Sequence, residues 1–243
     1  MRSAAAYLPP LAAVLAVVSL AASVLLARAH GHIPPGVTTP PLSLAGIESP
    51  EYYFFSCGLS STAAALLAIE GLHERALAPS LATVAAAGSP GAASAVASLR
   101  GASFYARSAF YALALIGILP LQGWGEVSTI IHLLSSTVFF FGSLTHGFTV
   151  LSALANPALS SCAISLNRAP LVWLLKAIAL ACAILSFGPA QLLHPGGAAL
   201  VDKETHELNV GGASQWILVG GILFYYVCVT FDFLILEGRP KEE

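Results

Sequence analysis

Two groups of ionisable or strongly polar side chains interrupt otherwise apolar sequence. Glu51, Glu126, His132 and Gln215 form one group, joined by Gln122, and Glu70, Arg107, His146, Lys176 and Asp232 form the other. A carboxylate can orient an imidazole, and an imidazole changes charge near neutral pH. Glu51, Glu126 and His132 together therefore suit acid–base work on a lipid or its headgroup. The second group mixes both signs of charge. It suits a set of ion pairs that fixes helix register, with Asp232 and His146 as the pair of most chemical interest. The plainer readings are half-hydrated boundary residues for the first group and snorkelling span ends for the second. No metal ligand set is legible. His30, His32, His194 and His206 match no zinc spacing, and His132 and His146 are fourteen residues apart, about 21 Å along a helix. The nucleophile-elbow, H-E-x-x-H, P-loop and dinucleotide-binding patterns are all absent, so no catalytic residue is assigned and no cofactor is expected.

The elements that must position these groups follow from composition. The 243 residues are 57% hydrophobic and 9% charged, against roughly 25% charged in soluble domains. Mean hydropathy is +0.81. The net charge of −2 offers no basic surplus to neutralise phosphates, which excludes a nucleic-acid partner. Four cysteines without a C-x-x-C pair indicate neither a disulfide framework nor a zinc ribbon. A membrane-crossing helix needs about 20 apolar residues, and six stretches qualify. They run from about Leu8 to Ala27, Tyr52 to Ile69, Phe104 to Leu121, Val127 to Leu154, Pro170 to Pro189 and Ser214 to Leu236. No ten-residue alternation suggests a barrel, so the expected fold is all-α, a single six-helix transmembrane bundle. Arg2, the first apolar run and Ala27-Arg28-Ala29 imitate a signal peptide, but a run of about 19 residues exceeds the usual h-region and favours a retained helix.

On this topology the inner segments hold Arg2, Arg75, Arg100, Arg107, Arg168, Lys176, Arg239 and Lys241, and the outer ones only Arg28 and Lys203. That bias places both termini in the cytoplasm. The first polar group then lies toward the lumen and the second toward the cytoplasm. Trp124, Trp216, Tyr52 and Tyr53 fall at the outer boundary, as an aromatic belt should. The Arg28–Pro50 loop is expected to be extended and turn-rich, and a second outer loop runs from Gln191 to Ala213. The Ala/Ser-rich stretch 71–103, with Pro79, Gly88, Pro90 and Gly91, is expected to be a flexible inner loop.

The segment Pro40–Gly58, P-P-L-S-L-A-G-I-E-S-P-E-Y-Y-F-F-S-C-G, resembles the stretch after the first helix in the Frag/DRAM/Sfk family of six-span membrane proteins. The sixth span looks like that family's final helix, with Gln215-Trp216, then Phe224-Tyr225-Tyr226 and Thr230-Phe231-Asp232-Phe233. The position of His132 at the start of the fourth span is similar too. Gln215 stands where the family often has an acid before the tryptophan, and the closing motif lacks its spacer residues. The resemblance implies membrane lipids as partners and a lipid or GPI-anchored substrate. It points to a Golgi or endoplasmic reticulum membrane, with the lysosomal membrane of the autophagy branch as the alternative. Two functions follow as expectations: lipid or GPI-anchor lipid remodelling at a lumenal pocket of Glu51, Glu126, His132 and Gln215, or a non-enzymatic scaffold or regulator of membrane traffic. A transporter ranks behind both, because no paired helix interruption is visible.

Overall fold

Pro9 and Pro10 stand in the first turn of a helix, where a missing backbone N–H costs nothing, and they open α1 over Leu8–Ala29 after a 3-10 turn at Ala4–Tyr7. The computed structural model describes residues 4–88, 91–119, 121, 125–186, 188 and 203–238. Among these, five further α-helices follow: α2 (Glu51–Ala86), α3 (Ala92–Ile118), α4 (Glu126–Leu154), α5 (Pro170–Ile184, again opened by proline) and α6 (Lys203–Glu237). The described residues contain no strand. α1, α2, α3, α4 and α6 are each long and apolar enough to cross a membrane, while α5 is apolar with 15 residues. At 1.5 Å per residue, α5 reaches about 22 Å, short of a roughly 30 Å hydrocarbon core, whereas α2 reaches about 54 Å and exceeds it. Bulky side chains on the outer faces, among them Leu11, Tyr111, Leu134, Phe141, Phe148 and Leu171, are left exposed, as a lipid-facing surface requires.

The stretch 71–103 is not a loop. α2 continues through Pro79 to Ala86 and α3 starts at Ala92, with Gly88 and Gly91 between them in the left-handed region. Alanine is the strongest helix former, and it is the commonest residue here. Leu77 and Val84 of α2 also meet Ala95 and Leu99 of α3, in a core that includes Val150, Leu154 and Leu159. That burial outweighs one proline, which removes a single backbone hydrogen bond. The second outer loop is shorter than expected for a related reason: Lys203–Ala213 is already the start of α6. Arg2, Gln122, Trp124, the end of the fifth span at Pro189, loop residues 191–202 with His194, and Arg239 and Lys241 lie outside the described residues.

α1 packs against α2 and α6, α3 lies between α2 and α4, and α5 pairs with α6. Two close approaches depend on glycine. A Cβ on Gly58 would fall 2.1 Å from the Cβ of Ser19 on α1, and one on Gly212 would fall 1.9 Å from the Thr39 carbonyl oxygen. Gly212 thus lets the loop after α1 lie flat on α6. Residues 36–42 are pinned there. Asn209 accepts hydrogen bonds at Oδ1 from the backbone amides of Thr38 (2.7 Å) and Thr39 (2.9 Å), and donates through Nδ2 to Gly36 O (3.2 Å). The Leu42 amide donates to Gln215 Oε1 (2.9 Å), and Trp216 donates to Pro40 O (3.3 Å). Asn209→Ala leaves two backbone amides without their acceptor. It should lower stability by about 1–3 kcal/mol and speed protease cutting between Gly31 and Ser43. A cutting rate equal to wild type would show that the loop is held by other means.

Candidate functional site

The buried face of α2 repeats every three or four residues through Leu66, Ile69, Glu70, His73, Leu77, Ser80 and Val84. Glu70 and His73 therefore share one side of the helix, one turn apart. The buried face of α4 runs through His132, Ser135, Phe139, Ser143, His146 and Val150, and that of α6 through Leu218, Ile222, Tyr225, Val229 and Asp232. Lys176 occupies the buried face of α5. Where these faces meet, five helices deliver ionisable or hydroxyl groups to one interior. Exposure is 3% for Glu70, 6% for His73, 3% for His146, 1% for Lys176 and 0% for Asp232, so none can rely on bulk water.

Each finds a partner. The Ser103 hydroxyl donates to Glu70 Oε1 (2.7 Å), and the other Glu70 oxygen lies 3.9 Å from His146 Nε2. His146 donates through Nδ1 to Ala102 O (3.0 Å), which leaves Nε2 to face Glu70 and the Tyr225 hydroxyl at 3.5 Å. The ring is clamped by Tyr226 stacked on it (5.9 Å between centroids) and by Tyr225 edge-on (5.8 Å). Lys176 pairs with Asp232, and the same Asp232 oxygen lies 2.9 Å from His73 Nε2, an ion-pair contact without hydrogen-bond alignment. The Lys176 ammonium lies 5.7 Å from the centre of the Tyr225 ring.

The cluster is not sealed. Glu70, His73, Ser103 and His146 line a cavity of about 320 Å³ between α2, α3 and α4, whose outer walls are Leu77, Leu81, Val96 and Leu99, with Glu74 and Arg100 also lining it. It has a charged floor and apolar sides, a combination suited to an amphiphile. Chemically, a carboxylate that holds a hydroxyl on one oxygen and faces an imidazole with the other can pass a proton to or from a bound group.

Of the cytoplasmic-side residues singled out from the sequence, Glu70, His146, Lys176 and Asp232 converge here. Asp232 pairs with Lys176 and His73 rather than with His146. Arg107 does not join them; it is exposed and pairs with Glu74. Ser103 takes its place as the α3 contribution. His73, Ser103 and Tyr225 are absent from the sequence reading of the cluster, although the periodicity of α2 and α6 already aligns His73 with Glu70, and Tyr225 with Asp232.

The four residues expected on the lumenal side are not gathered into one pocket. Glu51 is buried and pairs with His32 of the preceding loop, and its Oε2 has no hydrogen-bond partner. Glu126 is exposed in the first turn of α4, where a negative charge favours the helix dipole. His132 and Gln215 line one smaller, mainly apolar cavity of about 120 Å³. Among the described residues no group of three or more His, Cys, Asp or Glu could hold a metal ion.

No curated protein and no solved structure matches the chain. Residues 4–236 match the family described as Frag1/DRAM/Sfk1/Cwh43P N-terminal domain. That match takes in all six helices among the described residues, and the chain is a multi-pass membrane protein that belongs to the Frag1/DRAM/Sfk1 family.

Proposed function

We propose that the protein is a lipid-remodelling factor of the Golgi or endoplasmic reticulum membrane, and that the polar cavity, rather than a lumenal four-residue pocket, is where the lipid's polar end is handled. The observation that carries this reading is access: buried acid–base groups cost stability, and here Glu70, His73, Ser103 and His146 open onto a space large enough for a headgroup. A purely structural ion-pair network gains nothing from such a cavity. The charged floor takes hydroxyl or amine groups of a glycerophospholipid, and Arg100 at the lining offers a cation to a phosphate. With both termini in the cytoplasm, the cavity mouth meets the cytoplasmic side.

The test is a lipid profile of cells lacking the protein and complemented with wild type or Glu70→Gln. Loss of the remodelled species at normal protein abundance supports the reading, and an unchanged profile contradicts it. A scaffold or regulator of membrane traffic is the second reading, and the Lys176–Asp232 pair favours it as an interhelical lock between α5 and α6. On that reading Glu70→Gln lowers abundance and leaves the lipids of the surviving protein's membrane unaltered.

A further inference from the structure

The second cavity carries an unmet hydrogen bond of its own. His132 donates through Nδ1 to Leu119 O (2.7 Å); since a carbonyl only accepts, Nδ1 carries a proton, and Nε2 is the ring atom left for another partner, an acceptor in the neutral ring. Gln215 uses Oε1 to accept from Leu42, which leaves its amide N–H groups as donors. Thr62 lines the same cavity, is 1% exposed, and its hydroxyl has no partner. An unpaired buried hydroxyl costs about 1–3 kcal/mol relative to a paired one, and nothing in the surrounding apolar wall satisfies it. The wall itself is formed by residues such as Phe55, Leu66, Leu113 and Ile222. One side is different: Leu133, which also lines the cavity, is 55% exposed on the outer surface of α4, so the space reaches the lipid-facing side of the bundle. His132 lies six residues into α4, about 9 Å from its start, within the apolar span.

We propose that this cavity is a lateral binding site for a neutral lipid whose polar end carries a hydroxyl beside an ester carbonyl, as in a diacylglycerol. The lipid hydroxyl donates to His132 Nε2, its carbonyl accepts from the Gln215 amide, and Thr62 bonds to either. Its chain enters past Leu133. An anionic or zwitterionic headgroup is excluded, because no charged side chain lines the cavity to meet a phosphate. The site is separate from the Glu70 cavity and does not rest on the function proposed for it.

The probe is a photoreactive, alkyne-bearing diacylglycerol added to the purified full chain in phosphatidylcholine liposomes. Wild type is expected to crosslink, with the label on α4 or α6, and 1,2-dioleoylglycerol should compete while extra phosphatidylcholine should not. Thr62→Val keeps the shape and removes the unpaired hydroxyl. It should lower crosslinking about 5–10-fold while the melting temperature without probe stays equal or rises, a combination that a structural role for Thr62 does not produce. Leu133→Trp should block entry, and Glu70→Gln should bind as wild type does. Crosslinking that phosphatidylcholine displaces equally well, or that neither Thr62→Val nor Leu133→Trp alters, overturns the proposal. The Glu70→Gln lipid profile stands or falls independently of it.

Discussion

Lys176→Met is expected to cost about 3–5 kcal/mol of stability, because it leaves Asp232 buried with only His73 to answer its charge. The carboxylate is 0% exposed, its Oδ1 has no hydrogen-bond partner, and both Lys176 and His73 act on Oδ2. Removing the ammonium therefore strands an anion in a site that water does not reach. The double variant Lys176→Met/Asp232→Asn removes both charges at nearly constant volume and should recover most of the loss. That recovery separates the cost of an orphaned charge from the value of the pair itself, which can be small. Thermal unfolding of the detergent-solubilised protein, followed by the fraction that stays monodisperse, reads the difference. If the double variant is as unstable as the single, Asp232 makes a contribution beyond its charge.

On the proposed function, Glu70→Gln is expected to reduce lipid remodelling by about 10²–10⁴-fold, the range for loss of a positioned acid or base. Glutamine keeps the shape and still accepts the Ser103 hydroxyl, but it cannot take up or release a proton opposite His146. The fold cost should stay small, since Glu70 faces an imidazole and a hydroxyl rather than a fixed cation at close range. Ser103→Ala serves as the companion. A comparable loss would assign the hydroxyl a direct part in the chemistry, and near-normal turnover would confine its role to holding Glu70 in place.

The class of fold is legible in the sequence because a chain with so little charge has nowhere soluble to place its apolar residues. The lengths of the helices are not. A criterion of about 20 residues cuts α2 at Ile69, whereas the three-to-four-residue period of buried positions continues through His73, Leu77, Ser80 and Val84. Alanine's helix propensity, which the composition of 71–103 displays openly, is masked in that reading by Pro79 and the paired glycines. The convergence of Glu70, His146, Lys176 and Asp232 follows from their similar depth on different helices, so it is visible beforehand. Which of them pair is not, because partner choice depends on the rotation of each helix about its axis. Arg107 shows the same limit: it lies one turn from Ser103 on the same side of α3, but it pairs with Glu74, one turn from Glu70, where the α2–α3 seam is already exposed. The group of Glu51, Glu126, His132 and Gln215 fails to assemble for a further reason. His32 lies in a loop whose path is set by Asn209, Gln215 and Gly212, contacts some 170 residues away in sequence that no local pattern encodes.

Glu70, His73, Ser103 and His146 open to water through the α2–α3–α4 cavity, whereas Lys176 and Asp232 behind them stay sealed. Single cysteines placed along α3, in a chain whose four native cysteines are replaced, test it with a small cationic thiosulfonate applied to the membrane-embedded protein. Ser103→Cys and Val96→Cys, which line the cavity, should react, and a cationic reagent should outpace an anionic one because Glu70 and Glu74 face the same space. Ala106→Cys and Ala109→Cys, at positions that are fully buried, should not react. Reactivity at Ser103→Cys no greater than at Ala106→Cys would contradict the account.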